Sequence, residues 1–235
     1  MDFIEKIKLL YAIPVERNYG YSEEEILQAE RRLRIKFPEA LRSFYSKLGK
    51  HDNIIGEANS IRLLKFYEFK FDKESSSSLT FALDDDELSY ISISRNDLDA
   101  ENPRVYKFAY YQNEIIKFSE TIDNFFLFMA CWNGVHHGFK YSTGGVIKIH
   151  GERRNKIYYM DNNYRNIMMD ILVKIIENNW REITGLYSGH FRLFTNDFMD
   201  VIILAQDEKT KSCWLGAGSN YEDRFMRIIG VIPFD

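Results

Sequence analysis

The sequence predicts an α+β fold, a largely antiparallel or mixed β-sheet packed by helices, and three observations predict it. Two capped amphipathic segments follow one another between Ser22 and Gly49, which makes an N-terminal helical hairpin. Short segments with strand-like composition then run from Leu79 to Phe118, divided by charged and Asn-Pro turns. Stretches with helical spacing return at 122–134 and 164–180. Strands grouped apart from helices, rather than alternating with them, are the pattern of an α+β domain.

In the hairpin, Ser22 and Glu25 have capping-box spacing, and Glu23, Glu24 and Glu25 place negative charge at the favourable end of a helix dipole. Ile26, Ala29 and Leu33 share one face. Phe37-Pro38 is expected to end this helix and open the next, because proline disfavours helical geometry before it and suits the first helical position. Leu41, Phe44, Tyr45 and Leu48 form the second apolar stripe, with Gly49 as its stop. Upstream, Phe3, Ile7 and Leu10 predict a short helix within 2–12, broken at Ile13-Pro14.

Downstream, 60–69 is a strand region of mixed period, and the serine run 75–78 has the composition of a surface loop. Leu79–Leu83 and Leu88–Ser94 read as paired strands joined by a turn of Asp84, Asp85, Asp86 and Glu87. Further strands are expected at Val105–Phe108 and Ile115–Phe118. Ser119 or Thr121 then caps a helix carrying Ile122, Phe125, Phe126 and Met129 and ending near Gly134. In the second half, Val146–His150 and Lys156–Met160 suggest a hairpin around GERRN, and Tyr164 to Trp180 an amphipathic helix. Strands follow at Asp200–Ala205 and Ser212–Leu215, and Ser219 with Glu222 has capping-box spacing before a last helix that stops at Gly230. The expected arrangement is one domain over 1–235, its C-terminal half extending the sheet and core; two abutting subdomains are the alternative.

Composition bounds the function. The chain has 235 residues, 45% of them hydrophobic and 28% charged, enough for a substantial core. Its net charge of -4 gives no bulk electrostatic drive toward nucleic acid or an anionic membrane and suits a basic partner. The longest apolar run, Phe125–Trp132, is too short to span a bilayer, and the N-terminal stretch with Asp2 and Glu5 makes a poor signal peptide, so a cytosolic protein is expected. Cys131 and Cys213 lack CxxC spacing and are either two reduced thiols or one disulfide.

The acidic turn Asp84–Glu87 has three readings. It docks a basic partner, where complementary charge speeds association; it is a solvated turn; or it holds calcium, which the missing EF-hand spacing disfavours. His136-His137 lies close to Cys131 and Trp132, yet adjacent histidines diverge and no second pair supplies further zinc ligands, so a structural role is expected. Gly144-Gly145 and Gly216-Ala217-Gly218 lack the lysine and Ser/Thr of a phosphate loop and read as turns. No cofactor and no metal are expected.

The ordered series Glu25, Ile26, Glu30, Leu33, Phe37, Pro38, Leu41, Phe44, Tyr45 and Gly49 resembles the opening of the SUKH superfamily, named after fungal regulators of cell-wall synthesis. The spacing of Tyr90, Ser92, Asp97, Leu98, Asn102, Pro103, Val105 and Tyr106 resembles its middle region. The likeness covers about 20–134 and leaves 135–235 as a less familiar extension. It implies a non-enzymatic immunity protein that binds and neutralises a cognate bacterial toxin, a nuclease by family tendency, with no direct contact to nucleic acid or membrane. The alternative it implies is an intracellular regulator or scaffold with several partners. An enzyme built on the second half is a third class, for which turnover dependent on Cys131 or His136 is the discriminating test.

Overall fold

A computed structural model describes residues 1–55, 61–71, 77–84, 89–109, 114–146, 164–184, 191–207 and 212–232. Its helices are α1 (Phe3–Leu10), α2 (Glu23–Leu33), α3 (Glu39–Leu48), α4 (Asp52–Ile55), α5 (Ile122–Asn133), α6 (Tyr164–Glu177) and α7 (Glu222–Val231). Its strands are β1 (Ile61–Leu63), β2 (Lys70–Phe71), β3 (Ser78–Asp84), β4 (Ser89–Ser94), β5 (Val105–Ala109), β6 (Glu114–Ser119), β7 (Tyr141–Val146), β8 (Arg181–Glu182), β9 (Phe191–Thr195), β10 (Asp200–Asp207) and β11 (Ser212–Ser219). The α+β class is as expected.

The hairpin forms as its caps dictate. Ser22 Oγ accepts from the Glu25 backbone N–H, and Glu25 reaches back to the Ser22 N–H at 2.7 Å. Hydrogen bonds from Lys50 and from the Ser22 backbone N–H and hydroxyl together lower the Glu25 pKa to about 2. The proline acts differently from expectation. Helix α2 already ends at Leu33, capped by Arg34 in the left-handed region, and Pro38 is the N-cap of α3. Between them, buried Glu30 accepts from the Phe37 N–H at 2.8 Å and from Arg42 at 3.0 Å, fixing the link. Gly20 carries the entering chain against α3 so closely that a Cβ there would lie 1.9 Å from the Ser46 carbonyl oxygen.

Helix α5 is buried on nearly all sides, from Ile122 through Cys131, as an apolar-all-round helix must be. Phe126 stacks on Phe44 of α3, their centroids 3.9 Å apart, and Phe125 meets Phe81 of β3 edge-on. Asn133 at its end is fully buried and serves as a surrogate strand. Its Oδ1 accepts from the Ile61 N–H and its Nδ2 donates to the Ile61 carbonyl. The mixed period of 60–69 has a reason: β1 and β2 lie along the same edge of β3, separated by a 3₁₀ turn, Phe66–Glu68, whose Phe66 plugs the aromatic cluster of Tyr21, Phe37 and Tyr45.

All pairing among the described strands is antiparallel. The first sheet runs β1-β3-β4-β5-β6, with β2 also on β3; the second runs β7-β11-β10-β9-β8. The C-terminal strands therefore do not lengthen the first sheet, as expected from the sequence, but build a second. They do extend the core: Leu193, Val201 and Ile203 belong to the same buried cluster as α5, while the opposite side packs α6 and α7 through Ile171, Ile175, Phe194, Ile202, Leu204 and Ile228.

The glycine pairs are strand residues, not turns. Gly144 lies in β7 directly opposite Gly216 in β11, and Gly218 follows two residues on. The Trp214 ring crosses this pair; a Cβ on Gly216 would meet it at 2.2 Å and one on Gly144 at 2.8 Å. The expected Ser219–Glu222 capping box does not form either. Buried Ser219 ends β11, where its hydroxyl donates to the Met199 carbonyl and accepts from the Tyr221 N–H, so Tyr221 is the N-cap of α7. Helix α7 also runs one residue beyond Gly230. The GERRN hairpin lies outside the described residues apart from Val146, as does the serine run apart from Ser77 and Ser78.

Candidate partner interface

One face of the first sheet packs on α5; the other carries rows of side chains set by register. Because strand residues alternate faces, directly opposed residues point the same way. Lys70, Thr80, Ser92, Tyr106 and Lys117 make one row across five strands, with the Thr80 and Ser92 hydroxyls 3.2 Å apart. Leu83, Tyr90, Phe108 and Ile115 make the next. Leu83 is buried, Tyr90 and Phe108 are half-buried, and Ile115 is 70% exposed. Lys70 sits over the Tyr90 ring, 5.4 Å from its centroid.

This apolar row is the last before the acidic stretch. Asp84 ends β3, immediately after Leu83, and alternation sends it to the opposite face. There Lys107 of β5 takes its carboxylate in a partly buried ion pair. Asp84 is thus tied to the sheet. Asp85, Asp86 and Glu87 lie outside the described residues. An aromatic and aliphatic centre with charges at its margin is the usual anatomy of a binding hot spot. Tyr90, Phe108 and Ile115 carried no functional weight in the sequence, where they read as ordinary strand residues. The alternation of 90–94 hinted at an outward face; only the register brings the three together.

The other reactive side chains have structural surroundings. Cys131 is a free thiol, and its burial pushes it well above the usual thiol range, so it stays protonated and is a poor nucleophile. The Cys213 side chain is outside the described residues. His136 and His137 fall in a π-helical turn, Gly134–Gly138, that continues α5. The His136 ring stacks on Trp214, 5.2 Å between centroids and 3° from parallel, and lies 4.5 Å from Trp132. Among the described residues no group of three or more His, Cys, Asp or Glu side chains is placed to hold a metal ion, and no helix is long and apolar enough to cross a membrane.

No curated protein and no solved structure matches the chain. The model of the SMI1 / KNR4 family (SUKH-1) matches residues 20–183, which takes in the hairpin, the whole first sheet, α5, β7, α6 and β8. The match runs past the 20–134 expected from the sequence motifs and covers more than half of the chain: this protein belongs to the SMI1 / KNR4 family (SUKH-1).

Proposed function

We propose that this protein is an immunity protein, which binds a cognate bacterial toxin in the cytoplasm of the cell it protects and neutralises it by occupying its active site or substrate channel. The family includes toxin immunity proteins, and the observation that carries the reading here is the row Leu83, Tyr90, Phe108 and Ile115, whose Leu83 immediately precedes Asp84 at the end of β3. The apolar row supplies the contact that sets the lifetime of the complex. The carboxylates of Asp85, Asp86 and Glu87 steer a basic toxin, such as a nuclease with a cationic substrate channel, onto it. Asp84 contributes indirectly, by holding Lys107 and with it the strand end.

The test is binding kinetics with the toxin, captured from a competing strain by the tagged protein. Asp85→Ser with Asp86→Ser, sparing Asp84, is expected to slow association and flatten its salt dependence. Phe108→Ala and Ile115→Ala are each expected to speed dissociation about tenfold, as truncation of a hot-spot residue does. Unchanged rates in all of these variants would remove the sheet end from the interface. Recovery of several weak partners of ordinary cellular function, with no toxic one, would favour the regulator instead.

A further inference from the structure

The lysines on the strands of the first sheet are not placed alike. The ammonium groups of Lys107 and Lys117 are each held by a carboxylate, that of Asp84 and that of Glu120. Lys70, exposed at the start of β2, has no ion pair among the described residues. Its Nζ lies instead over the Tyr90 ring, 5.4 Å from the centroid. Register accounts for this. Lys70 is opposite Thr80 and Tyr90 is opposite Leu83, so the two side chains leave one face of the sheet from adjacent rows. Thr80 and Ser92, which continue the Lys70 row, are buried, and their hydroxyls hydrogen-bond each other. The polar group that this row offers beside Tyr90 is therefore the ammonium.

That position decides what a partner must carry. A protein that covers Tyr90 also takes Lys70 out of water, because the ammonium sits on that ring. The compact charge of a lysine is strongly hydrated, and the attraction of one tyrosine face offsets only part of the hydration lost. A cationic surface at that point would add like-charge repulsion. We propose that Lys70 is a specificity-determining residue of the toxin interface, and that the toxin, though basic enough to be steered by the acidic stretch, presents a carboxylate to the Lys70 ammonium. This rests on the toxin-binding reading, with the Tyr90 row as its site. The carboxylate and the ring then hold the ammonium from two sides. A basic protein without an acidic group there is rejected by the unpaired buried charge it would leave.

Calorimetric titration with the toxin captured by the tagged protein tests it, with circular dichroism to confirm that each variant is folded. Lys70→Met keeps the stem against the ring and removes the charge. It is expected to weaken binding about tenfold, and Lys70→Glu about a hundredfold. Alanine substitution of the toxin's Asp and Glu residues, one at a time, is expected to find one whose loss weakens wild-type binding and adds nothing to Lys70→Met. Lysine at that toxin position is expected to restore affinity for Lys70→Glu. Wild-type affinity in Lys70→Met, or toxin substitutions whose effects all add independently to it, would overturn the proposal. If Phe108→Ala speeds dissociation while Lys70→Met binds as the wild type does, the interface stands and the role of Lys70 falls. If neither changes binding, the sheet face is not the interface and the proposal falls with it.

Discussion

Asp200, at the start of β10, shows how the interior uses a polar side chain. It is fully buried; its Oδ1 accepts from the Trp180 indole N–H at 3.1 Å and the Asn196 backbone N–H at 2.7 Å, while Oδ2 has no hydrogen-bond partner among the described residues. Burial raises its pKa above the ordinary 3.8, against the opposing pull of those hydrogen bonds and of the Arg224 and Arg227 charges. The folded protein thus holds this proton more tightly than the unfolded chain. The contribution of the group is most favourable at low pH and declines as pH rises through 3.8 toward the raised value. Asp200→Asn keeps an acceptor for both donors and removes the buried charge, so it is expected to match or exceed the wild type at neutral pH and to flatten that acid-side slope. Asp200→Ala strands an indole and an amide N–H and is expected to cost about 1–3 kcal/mol. Urea unfolding of both variants at pH 4 and pH 7 checks this; an Asn variant as unstable as the Ala variant would mean that Arg224 and Arg227 require the charge. Glu30 and Asn133 do comparable work on the Phe37 N–H and the Ile61 backbone, and nothing in their immediate sequence marks either as buried.

Among the elements, α2 was the most legible, because its cap, charge gradient and apolar face are all local. Its C-terminus was not. The chain leaves through Arg34 at φ 55°, a left-handed position with an exposed side chain, three residues before the Phe37-Pro38 that looked like the break. Glycine would relieve the strain between Cβ and carbonyl at a cost in unfolded-chain entropy. Arg34→Gly is therefore expected to stabilise the protein by roughly 0.5–1 kcal/mol, read as a higher midpoint in thermal or urea unfolding. A lower midpoint would mean that the guanidinium makes a contribution larger than the strain. The same contrast separates the predicted strands from the glycine pairs. Ile91 and Ile93 alternate visibly with Tyr90 and Ser92, whereas Gly144 and Gly216 look like turns until β7 and β11 are aligned and Trp214 is seen to need the space.

At the scale of the molecule, the two sheets share a buried cluster, and the second cannot be completed from the family-matched residues alone. Its edge strands β7 and β8 lie within 20–183, but their partners β11 and β9 lie beyond, as do Phe194, Ile202 and Leu204 beneath α6. A chain ending at residue 183 would leave β7 unpaired and the buried face of α6 exposed, and would remove Leu193, Val201 and Ile203 from the first core. That truncation is expected to aggregate or to lose cooperative thermal unfolding. A soluble truncated chain with a sharp transition would show that the first sheet and its helices stand alone.

By itself the sequence determined the N-terminal caps of α2 and α5, the apolar faces, most strand positions in the first half and the SUKH likeness, because each rests on residues near one another in the chain. Tertiary structure alone decided that the C-terminal strands form a second sheet, that Asp84 is held by Lys107, and that Tyr90, Phe108 and Ile115 share one row. Those outcomes depend on register between strands distant in sequence, and a shift of one residue would turn each side chain to the other face.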